Sequence, residues 1–150
     1  MEIERKFTVR RLPDGLSSCP KTWMEQAYLC THPVVRVRRA GEEFWLTCKG
    51  EGLMVRQELN LPLTEETYRR LLAKADGIPI SKERYRVPLG NHTAELDVFD
   101  APFAPLIIAE VEFPTEEEAL AFQPPDWFGR EVTFDPAYTN ASLSRGVPPR

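Results

Sequence analysis

Apolar and polar residues alternate along eight short segments of this chain. The segments are 2–10, 23–29, 33–40, 44–50, 54–61, 81–89, 92–100 and 105–113. Side chains at every second position of a β-strand share one face, so this alternation predicts strands with one apolar and one polar face. Turn residues such as Gly41, Gly52 and Gly90 separate consecutive segments at hairpin spacing. The pattern therefore predicts an eight-stranded antiparallel meander that closes as a β-barrel.

Helices are predicted at a few places between these strands. The first covers 64–76, with Thr64 as its N-cap and Gly77 just past its end. The second covers 115–122 and opens with a capping box. A third, short helix is predicted to begin at Asp135, since Asp is a good N-cap. The fold class is therefore α+β, with helices packed outside the barrel.

The polar face of the predicted strands carries an unusual number of charges of both signs. The basic residues on this face are Lys6, Arg36, Arg38, Lys49, Arg56, Lys82 and Arg84, and the acidic residues are Glu2, Glu4, Glu58, Glu95, Asp97, Glu110 and Glu112. If this face points outward, the strands enclose a dry core, and the surface ion pairs contribute little to stability. If it points inward, the barrel is wide and wet, and helices or a partner must cover its apolar exterior.

The crowding of like charges favours the inward arrangement. Two cations about 6 Å apart repel by ~3 kcal/mol at an effective dielectric constant of about 20, so a cluster of cations needs an anion. A triphosphate meets this need, because Arg and Lys suit phosphate oxygens. The acids occur mostly as ExE or ExD pairs, whose carboxylates can converge on Mg²⁺ or Mn²⁺, ions that accept oxygen ligands. We therefore expect a charged interior that binds a metal-chelated polyanion.

Length and composition are those of one globular domain, 1–150. The net charge of −4 provides no broad attraction to nucleic acid, and no stretch predicts a membrane span. The chain begins with acidic residues and lacks the apolar region of a secretion signal. Three widely spaced cysteines fit free thiols in a reducing compartment. We expect a cytoplasmic protein that binds neither nucleic acid nor membranes.

These charged pairs resemble the motifs of a known family. Glu2-Ile-Glu4-Arg-Lys6 resembles the ExExK signature of the CYTH superfamily, or triphosphate tunnel metalloenzymes, which includes class IV adenylyl cyclases, thiamine triphosphatases and inorganic triphosphatases. The match continues in order along nearly the whole chain, through Tyr28-Leu29, Arg36-Val-Arg38, Thr47-Cys-Lys49, Arg56-Gln-Glu58, Lys82-Glu-Arg84, Glu95-Leu-Asp97, Glu110-Val-Glu112 and Gly129-Arg-Glu-Val-Thr133, with Tyr138 and Asn140. Ordered pairs across eight predicted strands are a far more specific signal than ExExK alone.

The resemblance implies an eight-stranded tunnel with the charged face inside. It implies one or two Mg²⁺ or Mn²⁺ ions, held by Glu2, Glu4, Glu95, Asp97, Glu110 and Glu112 with help from Glu58. It also implies a triphosphate bound by Lys6, Arg36, Arg38, Lys49, Arg56, Lys82 and Arg84. At Asn60, the next residue on the charged face after Glu58, relatives often carry another acid, and this chain departs from that pattern.

The expected reaction is metal-dependent hydrolysis of a phosphoanhydride bond, with inorganic tripolyphosphate or a nucleoside triphosphate as the substrate. Polarised water attacks, and the basic rows stabilise charge on the transferring phosphoryl group. The candidate catalytic residues are Glu58, as the proton acceptor, and Lys82 and Arg84. The short chain resembles the compact bacterial triphosphatases more than the longer cyclases.

Several alternatives stay open. A class IV-type adenylyl cyclase would use the nucleotide's own 3′-hydroxyl as the nucleophile. A thiamine triphosphatase would need a pocket for an organic cation, for which Trp45 and Trp127 are candidates. A non-catalytic polyphosphate or nucleotide-binding module would keep the basic rows without turnover. An apolar barrel exterior is also compatible with a homodimer.

Overall fold

Ten antiparallel strands form the sheet in the computed structural model, which describes residues 2–52 and 54–146. The strands are β1 (Glu2–Val9), β2 (Lys21–Thr31), β3 (Val34–Ala40), β4 (Glu43–Lys49), β5 (Val55–Arg56), β6 (Glu58–Leu63), β7 (Asp76–Leu89), β8 (His92–Phe99), β9 (Ile107–Glu112) and β10 (Phe128–Glu131). Their order is β10-β1-β9-β8-β7-β2-β3-β4-β6, and β5 pairs with β1. The predicted antiparallel fold is confirmed, although the strand count of eight is not.

Two features account for the difference in strand number. The fifth predicted strand is divided at Gln57: before this residue, β5 pairs with β1, and after it, β6 pairs with β4. The hydrogen-bonded ladder is therefore not closed through one continuous strand, and the segment 55–63 links its two ends. The second feature is β10, a short strand that pairs with β1 beside β9.

The helices are α1 (Glu65–Leu72), α2 (Glu116–Ala121) and α3 (Asn140–Ser144), and 3-10 helices occupy Leu16–Ser18 and Pro136–Tyr138. The predicted caps are present, since the hydroxyls of Thr64 and Thr115 accept hydrogen bonds from backbone amides three residues later, both at 3.1 Å. Within the described part of the chain, no helix has the length and apolar character needed to cross a membrane.

The predicted end of the first helix was wrong. α1 stops at Leu72, and Gly77 lies inside β7 instead of following a helix that ends at residue 76. The first residue of β7, Asp76, already pairs with Tyr28 of β2, so sheet pairing overrides the local helical pattern. The third predicted helix is divided into the 3-10 turn, which Asp135 caps, and α3, which Thr139 caps.

Apolar clusters cover the outside of the sheet. Tyr68 of α1 packs on Ala27 and Val37, and its ring lies 5.2 Å from that of Phe44. α2 buries Ala119 in a second cluster, whose members include Phe7, Val87, Leu96, Ala109, Val111, Phe113, Trp127 and Phe128. Burying this apolar phase under the helices turns the alternate, charged phase inward.

The interior is only partly polar. Ile80 shares the inward phase of Lys82 and Arg84, and it is fully buried in a third cluster. This cluster contains Tyr138 and Leu143, which belong to the last 3-10 turn and to α3. The C-terminal segment therefore packs into part of the barrel interior and confines the charged region to the remainder.

Candidate active site

A cavity of about 160 Å³ lies among the charged side chains inside the barrel. All of the predicted site residues except Lys82 and Asp97 line it; these are Glu2, Glu4, Lys6, Arg36, Arg38, Lys49, Arg56, Glu58, Arg84, Glu95, Glu110 and Glu112. Tyr28, Val34, Thr139, Asn140 and Ala141 complete the lining. The structure thus brings together residues from β1–β9 and the C-terminal segment.

One wall of the cavity is basic. Arg36 is only 4% exposed, and its Nε has no hydrogen-bond partner among the described residues. Arg38, two residues away on the same face, donates from Nε to Oε1 of Gln26 at 3.0 Å. Burial lowers the pKa of Arg38, and the neighbouring Arg36 and Arg84 lower it further. This wall concentrates positive charge that an anion can neutralise.

Glu2 occupies the junction between the basic wall and the acids. Its carboxylate accepts from Lys49 Nζ at 3.0 and 3.1 Å, and Arg56 Nε lies 3.4 Å from Oε1. Burial raises the pKa of Glu2, and a side-chain interaction with Glu58 adds to that effect. Burial, followed by the nearby Arg36, lowers the pKa of Lys49. Glu2 therefore compensates two of the predicted phosphate ligands.

Glu58 is held by Glu2 and by Asn60. The pKa of Glu58 is lowered to about 2, mainly by the hydrogen bond with Glu2, against the opposing effect of burial. Asn60 Nδ2 donates to Glu58 Oε1 at 2.8 Å, and the Thr47 hydroxyl donates to Asn60 Oδ1 at 2.6 Å. Asn60 thus fixes a carboxylate instead of supplying another. The role of Glu58 as the proton acceptor stays a prediction.

A second region of the cavity is acidic. Glu4 lies directly opposite Glu112 in the β1–β9 ladder. Burial, together with Glu110 and Glu2, raises the pKa of Glu4 to about 8. Burial raises the pKa of the more exposed Glu112 as well, and Glu95 is the next contributor. Like charges opposite one another are unfavourable unless a cation lies between them.

Glu110 behaves differently from these acids because it has cationic neighbours. Burial alone would raise its pKa, but Lys6, whose Nζ lies 3.7 Å from Oε1, and Arg84 hold the pKa well below its ordinary value. Lys6 Nζ also donates to the Tyr138 carbonyl at 3.1 Å, which ties β1 to the C-terminal segment. Lys6 and Glu110 are thus already paired within the cavity.

The acidic region offers only oxygen donors, which is the donor chemistry that Mg²⁺ and Mn²⁺ accept. The raised pKa of Glu4 also marks a place where a cation would relieve repulsion between carboxylates. In the described ranges, no three His, Cys, Asp or Glu side chains are close enough together to form a ligand set. The residues therefore fit a hard divalent ion in chemistry, while their side chains are not arranged around one.

Lys82 and Asp97 lie behind the cavity wall. Lys82 is 0% exposed, and its Nζ lies 2.6 Å from Asp97 Oδ2. Asp97 also accepts from Arg84 Nε and Nη2, at 2.8 and 2.9 Å. Burial would raise the pKa of Asp97, but Arg84 and Lys82 lower it below its ordinary value. Of this group, only Arg84 reaches the cavity, where its Nη1 also donates to Glu95 at 3.2 Å.

The two tryptophans proposed for an organic pocket have different environments. Trp127 is only 8% exposed and packs with Phe128 in the outer core, which leaves it no ligand-binding surface. Trp45 lines a second cavity of about 220 Å³. The other residues around that cavity are Arg36, Arg38, Thr47, Glu58 and Asn60. The shared arginines and Glu58 place this second cavity next to the charged one.

Sequence reasoning missed some residues that shape the site. Gln26 lies on the inward face but is neutral, so a search for charged pairs passed over it. Thr139 and Asn140 line the cavity although they follow the last strand. Asn140 did belong to the series of motifs that resembles the superfamily. The resemblance therefore pointed to this segment, whereas the alternation of the strands did not.

Comparison with known proteins places the chain in a family. No model of a protein family matches it. The chain is 40% identical over 153 residues to an inorganic triphosphatase of Nitrosomonas europaea, covering 98% of this chain and 99% of that protein. It is 36% identical to an inorganic triphosphatase of Acetivibrio thermocellus, covering 95% and 92% of the two chains. A crystal structure of an inorganic triphosphatase matches with a TM-score of 0.73 and 37% identity, over 99% of this chain and 97% of that one. With this identity along almost the full length and with the same fold, the chain belongs to the inorganic triphosphatase family of the CYTH superfamily.

Proposed function

We propose that this protein hydrolyses inorganic tripolyphosphate in the charged cavity, with Mg²⁺ or Mn²⁺ as the cofactor. The observation that carries the proposal is the division of one cavity into a basic wall and an acidic region. Arg36 and Arg38 form no ion pair with any described carboxylate, and Glu4 and Glu112 form none with any described cation. A metal-chelated polyphosphate complements both regions at once.

The basic wall would bind the phosphate chain. Arg36 and Arg38 are free to donate to phosphate oxygens, and Arg guanidinium groups suit this contact. Lys49 and Arg56 share Glu2, so they can turn toward a phosphate if Glu2 moves to a metal ion. Lys6 borders the acidic region, where it would reach the end of the chain nearest the ion.

The acidic region would hold the divalent ion. Glu4 and Glu112 are the leading ligands, because both are unpaired, and Glu2, Glu95 and Glu110 lie around them. When bound, such an ion polarises phosphoryl oxygens and lowers the pKa of bound water. Asp97 is the least suited of the predicted ligands, since Lys82 and Arg84 already occupy its oxygens.

Arg84 would stabilise charge on the transferring phosphoryl group. It reaches the cavity, and its position is fixed by two hydrogen bonds to Asp97. A preorganised cation of this kind favours the transition state because no reorganisation is needed during the reaction. Lys82 adds positive charge from behind Arg84. Burial lowers the pKa of Lys82 to about 8, although Asp97 acts in the opposite direction.

A nucleotide or thiamine triphosphate is the second candidate substrate. The cavity beside Trp45 adjoins Arg36 and Arg38, so an organic group could stack there while its triphosphate lies on the basic wall. Trp45 suits an aromatic group of the substrate better than it suits an additional phosphate. It is the specific reason to compare organic triphosphates with tripolyphosphate.

One assay separates the proposed activities. Orthophosphate and cyclic nucleotide are measured with tripolyphosphate, ATP and thiamine triphosphate, each with Mg²⁺, Mn²⁺ or EDTA. We expect phosphate release from tripolyphosphate that requires the metal and falls strongly in Glu112→Gln. Cyclic nucleotide formation would indicate a cyclase. Binding without turnover of any substrate would refute hydrolysis and indicate a binding module.

We also propose a cytoplasmic location and no role in nucleic-acid binding. The three cysteines are free, and the net charge is −4. Exposed apolar residues on β6, Leu59 at 57% and Leu61 at 48%, are compatible with a homodimer. Light scattering of the purified chain at several concentrations tests that association.

A further inference from the structure

Arg38 is anchored by a neutral residue. Gln26 lies opposite Arg38 in the β2–β3 ladder and is 0% exposed. Its Oε1 accepts from Arg38 Nε at 3.0 Å, whereas its Nε2 has no hydrogen-bond partner among the described residues. The amide is therefore held in place through its oxygen, and Arg38 is the group that holds it.

This arrangement contrasts with the neighbouring arginine. Arg84 rests on a carboxylate, Asp97, which also lies 2.6 Å from Lys82. No described carboxylate forms an ion pair with Arg38. Arg38 and Arg84 thus contact two different kinds of buried acceptor, and of these two acceptors only Asp97 neutralises positive charge.

We propose that Gln26 is a positioning residue that orients the Arg38 guanidinium toward the cavity without neutralising it, so that the charge remains available to a bound polyphosphate. The inference rests on the proposed function. It adds Gln26 to the residues that shape the site and explains why an amide, and not a carboxylate, occupies this position. A hydrogen bond from a charged donor restricts the guanidinium plane. A carboxylate at the same position would restrict it equally well but would compete with the phosphate.

Two substitutions separate the effect of the neutral charge at position 26 from the effect of its hydrogen bond, which orients Arg38. Gln26→Glu is nearly isosteric, keeps an acceptor facing Arg38 and adds a negative charge. Gln26→Met keeps the volume and neutrality but removes the acceptor. Gln123→Glu is the matched control, because it makes the same chemical change at an exposed position outside the barrel.

The measurements are kcat and KM for tripolyphosphate with Mg²⁺, the thermal unfolding midpoint without ligand, and the shift of that midpoint on adding tripolyphosphate in EDTA. We expect Gln26→Glu to raise KM about 100-fold, from one charge opposed at close range. The same variant should raise the ligand-free midpoint, because Arg38 gains a counter-ion. Gln26→Met should raise KM about tenfold and lower the midpoint.

A merely structural role predicts a different result, in which activity and stability fall together in both variants. That outcome overturns the proposal, as does a Gln26→Glu variant with wild-type KM or one that does not fold. If the wild type shows no turnover, the proposed function fails on its own. The thermal shift by tripolyphosphate then still tests Gln26, since Gln26→Glu should lose that shift while Gln123→Glu keeps it.

Discussion

Glu4→Gln should make the protein more stable and less active at the same time. Glu4 is opposite Glu112, close to Glu2 and Glu110, and its pKa is raised from 4.5 to about 8. Gln keeps the shape of the side chain and removes the charge. The substitution therefore relieves repulsion in the folded state but removes a proposed metal ligand.

The magnitude follows from proton linkage. Between pH 4.5 and about 8 the folded state holds a proton on Glu4 that the unfolded chain has lost, so stability falls as the pH rises through this window. At roughly 1.4 kcal/mol per pH unit the full effect would approach 5 kcal/mol, and partial solvent access reduces it to about 2–3 kcal/mol. We expect equal stabilities near pH 4.5 and a Glu4→Gln advantage of this size above pH 8.

Urea unfolding at pH 5, 6.5, 8 and 9 in EDTA measures this difference. Adding Mn²⁺ should stabilise the wild type at pH 8 and have a much smaller effect on Glu4→Gln, which should also release little phosphate from tripolyphosphate. Glu117→Gln, on the exposed side of α2, is the control and should show no such pH dependence. A constant difference between wild type and Glu4→Gln across the pH range would refute the reasoning.

Three further substitutions test other parts of the structure. Arg38→Glu should raise KM for tripolyphosphate by at least about 100-fold and should lower the unfolding midpoint, because Gln26 loses its hydrogen-bond donor; an unchanged KM would place Arg38 outside the substrate site. Asp97→Asn leaves Lys82 without its ion-pair partner and Arg84 with Glu95 alone, and it should cost about 3 kcal/mol or more in the free energy of unfolding, whereas Mn²⁺ affinity, measured by titration calorimetry, should be retained. Gly77→Ala should lower the thermal midpoint by several degrees, because Gly77 has a φ of 88° and a Cβ would collide with the Ser144 carbonyl. A Gly77→Ala midpoint equal to that of the wild type would show that this contact with α3 relaxes at no cost.

The inward direction of the charged face was predictable because the apolar alternate phase is long and continuous. A strand that buries Phe7 and Val111 under α2 must turn Lys6 and Glu110 the other way. The alternation does not indicate how deeply each inward side chain is buried, however. Asp97 and Lys82 share the phase of Arg84, yet they lie behind it, because the C-terminal segment fills part of the interior.

Two other features of the fold could not be predicted from the local sequence pattern. The alternation in 54–61 continues through Gln57, and the division arises only because β1 and β4 lie on opposite sides of the gap that this segment spans. β10 is four residues long and includes Gly129, where a Cβ would collide with the Thr8 hydroxyl. Glycine is needed there because β1 and β10 approach each other closely, and only the tertiary structure shows this approach.

The division at Gln57 gives the barrel wall a seam. β5 is joined to β1 by two residue pairs, Glu2 with Arg56 and Ile3 with Val55, whereas five pairs join β1 to β9. A junction this short should open before the β1–β9 ladder does, and amide hydrogen exchange should be faster at the β1–β5 positions than in that ladder. Glu2 and Arg56 are also an ion pair in the cavity, so a metal-chelated polyphosphate that binds Arg56 while Glu2 binds the metal would replace this ion pair and hold the two sides of the seam together. Binding of the substrate would then also close the barrel wall between β1 and β5.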